Sequence, residues 1–211
     1  GLMVMVSAND LLTLYMGLEL SSLSLYVLAA YDRDNAVSSE AGIKYFVLGA
    51  LASGMMLFGA SLVYGYTGTT NFSAMSDLFA ATEDAQASVA YGAIVGMVML
   101  VVALCFKISA VPFHMWVPDV YQGAPTAVTL LIAAAPKLAA FGMAYRLLET
   151  GVGTADVQWG DMVAYLAAIS LVIGNLAALV QTNLKRLLAY STISHVGFLF
   201  MGLVCADNTG Y

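Results

Sequence analysis

The sequence predicts an all-α polytopic membrane protein, and three observations carry that prediction. Hydrophobic residues fill 61% of the 211 positions and charged residues only 9%. Mean hydropathy is +0.86. Apolar stretches long enough to cross a bilayer, about 20 residues each, recur along the whole chain. These runs are far too long for strands, and only helices and closed barrels satisfy backbone polar groups in lipid, so each is read as a helix.

Taken in order, residues 1–7 read as the end of one helix. Spans follow at roughly 10–31, 36–65, 89–111, 126–148, 160–182 and 186–205, all rich in Ala, Leu, Val, Gly and Met. Between the second and third lies the longest polar stretch, about 66–88, containing "TGTTNFSAMSDLFAATEDAQAS". It reads as a surface loop with one short helical turn. The glycines of "GALASGMMLFGA" predict close helix packing. No soluble domain is evident. The chain opens without a methionine in what reads as a helix end and stops at "CADNTGY", which predicts a fragment of a longer protein. A secretory signal, with its basic n-region and cleavage site, is not seen.

Loop charges give an orientation. Loops near 32–40 and 183–186 share one side and hold Arg33, Lys185 and Arg186, whereas those near 66–88 and 149–160 carry acids, with Arg146 nearby. The positive-inside rule puts "YDRDN" and "TNLKR" in the cytoplasm. The net charge of −6 comes mostly from loop acids and points to no charged partner. Nucleic acid is excluded. Cys105 and Cys205 both fall in apolar spans and are expected to be small buried hydrophobes. There is no CxxC, no His/Cys cluster, no HExxH and no Gly-rich phosphate loop, so metal, iron–sulfur and nucleotide chemistry have no support. What remains is chemistry with protons or ions.

The informative residues are the charges inside the spans. Glu19 falls near the centre of the first full span and Lys137 near the centre of the fourth. A charge at bilayer depth costs about 2.5–3.5 kcal/mol on insertion scales, so it is normally paired, set in a polar cavity or neutralised. Lys107 opens the third case, in "CFKISAVPFHMWVPDVYQGAP". If the span continues through Pro112 to about residue 124, the lysine sits near mid-depth. Pro112 lacks an N–H and its ring clashes with the preceding turn, which predicts a broken helix near residues 107–113. Backbone groups freed by such a break are tolerated only where they are buried in protein or line a water-filled cavity. Lysine and break together predict a hydrated polar site within the membrane.

Burial disfavours a lysine's charged form and a nearby carboxylate favours it. A lysine whose distance from a glutamate can change is therefore a proton switch. Glu19 with Lys107 or Lys44 suits that role, with Lys137 receiving the proton; the competing reading is a fixed ion pair joining helices. Lys44 stands four residues after Glu40, so an ordinary i,i+4 pair and a relay role both stay open. Snorkelling to the interface is also open to it. His114 follows the break and has cavity lining or packing open to it. His195 lies among Ser191, Thr192 and Ser194, where a polar interhelical contact is the default and a relay role the second reading.

The run "FKISAVPFHMWVPDVYQGAPTAV" resembles the signature of the antiporter-like membrane subunits of bacterial respiratory complex I, and "PDVYQGAP" resembles the N type more than the L or M types. "EAGIKYFVLGALASG" and "NLKRLLAYSTISHVGF" extend the resemblance over essentially the whole chain. The resemblance implies an antiporter-like helix bundle, a fragment of a 14-helix subunit. It would run from the end of the fourth helix through the tenth, with helices five to eight in a first inverted repeat and nine and ten opening the second. Matched residue by residue, it implies that Glu19, Lys107 and Lys137 form a proton relay, with Lys44 and His195 as further candidates. It also implies a multi-pass protein of the bacterial inner (plasma) membrane, partnered by other membrane subunits of NADH:quinone oxidoreductase. This chain would carry no redox centre, with NADH, FMN, iron–sulfur clusters and quinone bound by other subunits. Two rival classes differ in kind. One is an Mrp-like cation/proton antiporter subunit using the same lysines. The other is an intramembrane serine protease using Ser191 and His195, which no Gly-x-Ser-x-Gly pattern accompanies.

Overall fold

The computed structural model describes residues 1–81, 87–151 and 156–205, and these residues are helical almost throughout. Helices α1 (Leu2–Ser7), α2 (Leu11–Ala29) and α3 (Ala36–Thr67) are followed by α4 (Phe72–Ala81), α5 (Ala87–Ile108) and α6 (Trp116–Gly123). Then come α7 (Thr126–Tyr145), α8 (Asp156–Leu179) and α9 (Leu184–Val204). A π-helical turn, Arg146–Gly151, extends α7. Among the described residues, six helical stretches are long and apolar enough to cross a membrane: Leu11–Ala29, Ala36–Thr67, Tyr91–Ile108, Thr126–Gly151, Trp159–Leu179 and Leu184–Val204. Each falls on a predicted span. Their outer faces carry large apolar side chains such as Val27, Ile43, Leu130, Leu138 and Leu179, all exposed, as lipid or further helices require and water would not.

Polar caps set where the helices start. Asp10 accepts from the Thr13 N–H, Asn35 from Val37, and Asn183 from Lys185 and Arg186, each satisfying donors that a helix's first turn leaves orphaned. Gly68, with φ 69°, closes α3 in the left-handed conformation that glycine adopts without strain.

The polar stretch predicted as a loop with a single turn instead contains α4. Asn71 accepts from the N–H groups of Ser73 and Ala74 to start it, and Phe72 and Met75 are fully buried, so one face anchors the helix on the bundle. These two apolar residues, three apart on one helical face, anchor the helix despite the polar composition around them. Residues 82–86 of that stretch, 152–155 of the loop predicted after the fourth span, and 206–211 of the closing "CADNTGY" lie outside the described residues.

Helices α3 and α5 pack along much of their length, as do α8 and α9. At the first crossing Gly59 and Gly96 let backbones touch: a Cβ on Gly59 would stand 2.7 Å from the Gly96 carbonyl oxygen. The predicted sidedness of the loops is reproduced. Short helix α6 lies against the start of α3 through Gly123 with Val37 and Ala41, and Lys185 at the start of α9 donates to the Ala124 carbonyl. At the opposite side Arg146 donates to the Ala8 carbonyl at 2.6 Å.

Cys105 is buried as expected, but Cys205 is exposed. It follows the last turn of α9 and points away from the bundle, so the apolar surroundings that its sequence neighbours implied are not formed within this chain.

Candidate functional site

The predicted break is present, and it begins at Ser109, two residues after Lys107. Helix α5 ends at Ile108; Ser109 takes φ 78°, a left-handed conformation costly for a residue with a Cβ, and the helical path resumes at Trp116. The backbone groups released there have side-chain partners. The Trp116 indole N–H donates to the Phe106 carbonyl at 3.0 Å, and the Val111 N–H donates to Ser170 of α8 at 3.0 Å. Burial in protein, one of the two ways such a break is tolerated, thus accounts for these two groups.

Lys107 projects from the last turn of α5 toward α2. Its ammonium donates to the Ser22 hydroxyl at 2.5 Å and lies 5.6 Å from the centroid of the Tyr26 ring. Glu19, one turn before Ser22 on the same helix, accepts instead from the Ser53 hydroxyl of α3. The direct Glu19–Lys107 pair that was one reading of the sequence is not formed: among the described residues no ion pair joins them, although the Glu19 charge acts on Lys107 electrostatically. Ser22 donates onward to the Leu18 carbonyl of its own helix. Glu19 and Lys107 are thus held by different hydroxyls, Ser53 and Ser22, and no salt bridge locks them together among the described residues.

Lys137 is 8% exposed, and its ammonium has no hydrogen-bond partner among the described residues. It sits 5.8 Å from the centroid of the Tyr121 ring. The residue before it, Pro136, lies inside α7, where proline removes the hydrogen bond to the carbonyl four residues earlier, that of Ile132. Lys107 and Lys137 thus each adjoin a defect in their own helix. A small cavity of about 20 Å³ joins the two regions, lined by Ser22 and Lys107 on one side and by Ile132 and Pro136 on the other. That volume suits about one water molecule, with the polar side chains on the Lys107 side; Lys137 itself does not line it. The Pro136–Lys137 dipeptide was the signal for the second defect.

Lys44 belongs to a different place. It is 41% exposed and pairs with Glu40 at 2.7 Å, the i,i+4 pair that one reading foresaw, and also with Asp119 of α6 at 2.8 Å. Asp119 in turn receives Arg186 of α9 at 2.7 Å, and Arg186 also donates to Gln122. These side chains surround an open pocket of about 200 Å³ at the end of the bundle. Sequence reasoning missed Asp119 and used Arg186 only for orientation. His195 is exposed on α9, 6.4 Å from the Phe198 ring, while Ser194 beside it is buried and Thr192 bonds back to the Leu188 carbonyl. The interhelical polar contact expected of His195 is made by none of the described residues, because the imidazole faces outward. His114 stands half-buried after the break, 6.4 Å from the Tyr190 ring.

The chain was compared with known proteins. A family model described as NADH:quinone oxidoreductase/Mrp antiporter, transmembrane, matches residues 8–211. NADH-quinone oxidoreductase subunit N of Nitrosomonas europaea is 54% identical over 211 residues, which is 100% of this chain and 43% of that protein. The chain thus spans less than half the length of this curated relative. A chain in the structure of respiratory complex I from Thermus thermophilus with bound aureothin is 39% identical with a TM-score of 0.79, over 96% of this chain and 42% of that one. A chain of the Mrp complex from Dietzia sp. DQ12-45-1b superposes with a TM-score of 0.82 at 25% identity, over 96% of this chain and 37% of that one.

Proposed function

Because the chain belongs to the NADH:quinone oxidoreductase/Mrp antiporter transmembrane family, we propose that it is part of an N-type proton-translocating subunit of NADH:quinone oxidoreductase in a bacterial inner membrane. Its task is to move protons inside the bilayer. Electron transfer from NADH to quinone, with FMN and the iron–sulfur clusters, is assigned to other subunits, and other membrane subunits of the complex are its partners.

The observation that carries the reading is the pair of lysines, Lys107 part-buried and Lys137 buried, each beside a helix defect, with a small cavity lined by Lys107 and by Pro136, the residue before Lys137. Lys107 takes and releases a proton as its contact with Ser22 and the Glu19 charge changes. Lys137 is next in line, reached through the cavity by a single water or by a swing of the side chain. Glu19 supplies the negative charge that sets when Lys107 holds its proton. Neither lysine is bound to a carboxylate at ion-pair distance among the described residues, which leaves both free to change charge. Lys44 and His195 stand outside this path. In this reading α2, α3, α5 to α7 form the first inverted repeat and α8 and α9 begin the second.

The Mrp-type antiporter shares this architecture, and the backbone superposition alone favours neither. The higher identity to the complex I chain and to subunit N favours the complex I reading. The test is Lys107→Ala in the full-length subunit, with assembly followed on a native gel. Proton pumping and NADH:quinone turnover are expected to fall together by roughly 10²-fold, the scale of losing one proton-transfer group. Unchanged pumping in an assembled complex overturns the relay.

A further inference from the structure

Between the two lysines runs an unbroken series of aromatic rings. Lys107 lies 5.6 Å from the Tyr26 centroid. Tyr26 meets Tyr45 edge to face at 4.7 Å, Tyr45 stacks on Trp116 at 4.5 Å and 10°, and Trp116 meets Tyr121 at 6.4 Å and 76°. Lys137 closes the series, 5.8 Å from the Tyr121 centroid. All four rings are buried, at 7%, 3%, 3% and 3% exposure in that order. They come from α2, α3 and α6, so three helices converge to build the series.

Packed aromatic rings alone would be core. Two features go further. Both ends of the series are ammonium groups, each within the roughly 6 Å at which a ring's negative face attracts a cation, in a desolvated setting where the attraction is strongest. Neither lysine has a carboxylate at ion-pair distance among the described residues, and for Lys137 the Tyr121 ring is the one attractive partner described there. The rings are also fixed in place. Gly49 leaves room for Tyr26, since a Cβ there would stand 2.0 Å from the phenol oxygen. Trp116 is tied by its indole N–H to the carbonyl of Phe106, the residue before Lys107.

We propose that Tyr26 and Tyr121 are positioning residues whose ring faces seat Lys107 and Lys137 in their charged forms, with the Tyr45–Trp116 stack holding the two seats at a fixed spacing. This rests on the relay reading above. The rings carry no proton. A ring face attracts an ammonium and has no comparable attraction for a neutral amine, so each seat favours the lysine that holds a proton and releases the side chain that has lost it.

The experiment is NADH-driven proton pumping by the assembled complex in proteoliposomes, with position 121 of the full-length subunit carrying Tyr121→Phe and then phenylalanines bearing one, two and three ring fluorines. Fluorine drains the negative face while nearly preserving the ring's shape, so packing is held constant. Tyr121→Phe is expected to pump within about twofold of the parent, and pumping to decline with each fluorine, to roughly tenfold below it at three. The same series at Tyr26 is expected to run in the same order with a smaller slope, because Ser22 also holds Lys107. Loss of pumping in Tyr121→Phe itself would overturn the proposal by showing that the phenol hydroxyl is what matters. A flat fluorine series would overturn it too, and Lys137→Ala then separates the causes. Lost pumping in Lys137→Ala leaves the relay standing without its aromatic seats, whereas intact pumping overturns both.

Discussion

Two lysine sites in this chain, one interior and one at the end of the bundle, are built in opposite ways. Lys44 is held by two carboxylates, Glu40 and Asp119, at 2.7 and 2.8 Å, and is 41% exposed. Lys107, part-buried, and Lys137, buried, lie beside aromatic rings, with a hydroxyl for one and no hydrogen-bond partner for the other among the described residues. A lysine fixed by two carboxylates has little reason to give up its proton. A lysine held by a hydroxyl or a ring face is restrained in position yet able to change charge. On the proposed reading, this contrast distinguishes the relay lysines from Lys44 better than depth in the sequence does, since all three lie in apolar helices.

The largest expected effect comes from emptying the interior site. Lys107→Ala or Lys137→Ala should each cost roughly 10²-fold in pumping while leaving the complex assembled, as a native gel beside a pumping assay would show. If only one of them does so, the lysines are not in series. Next comes Asp119→Asn, which removes both cross-helix bridges at once. Part-exposed bridges are worth about 0.2–1 kcal/mol each, so thermal unfolding of the purified complex should register a loss of no more than about 2 kcal/mol. Pumping should drop by no more than a few-fold, because α6 loosens but no relay group is touched. A hundredfold loss would move Asp119 into the proton path. The smallest effect belongs to Lys44→Ala: a slight loss of stability that shrinks as salt is raised, and pumping within twofold of the parent. Larger losses there would erase the contrast between the two sites.

Much of this arrangement was legible in the sequence. The six spans follow from hydropathy because lipid leaves the backbone few options, and the break after Lys107 follows from Pro112. Relations between distant residues were not legible. Asp119 meets Lys44 across 75 residues and Arg186 across 67, and no local pattern announces either contact. The aromatic series was hidden for the same reason, since Tyr26, Tyr45 and Trp116 lie on different helices with nothing in their spacing to mark them as neighbours. Pro136 was legible and had been passed over: a proline next to a lysine in mid-span repeats the logic of the first break. Helix α4 was obscured by its polar composition, which outweighs the two buried apolar residues that anchor it.

The bond from Trp116 to the Phe106 carbonyl has a consequence for timing. It ties the start of α6 to the last turn of α5, while Ser170 holds the Val111 N–H from α8, so both sides of the interruption are fastened. Rearranging that backbone means breaking hydrogen bonds in a low dielectric, and helix movements of this kind belong to about the microsecond to millisecond range. Side-chain rotations are orders of magnitude faster when unhindered, at about picoseconds to nanoseconds. In the proposed relay, a proton stepping between Lys107 and Lys137 therefore waits on two side chains turning within a stationary frame, and a slower step elsewhere can set the pace without this frame moving at all.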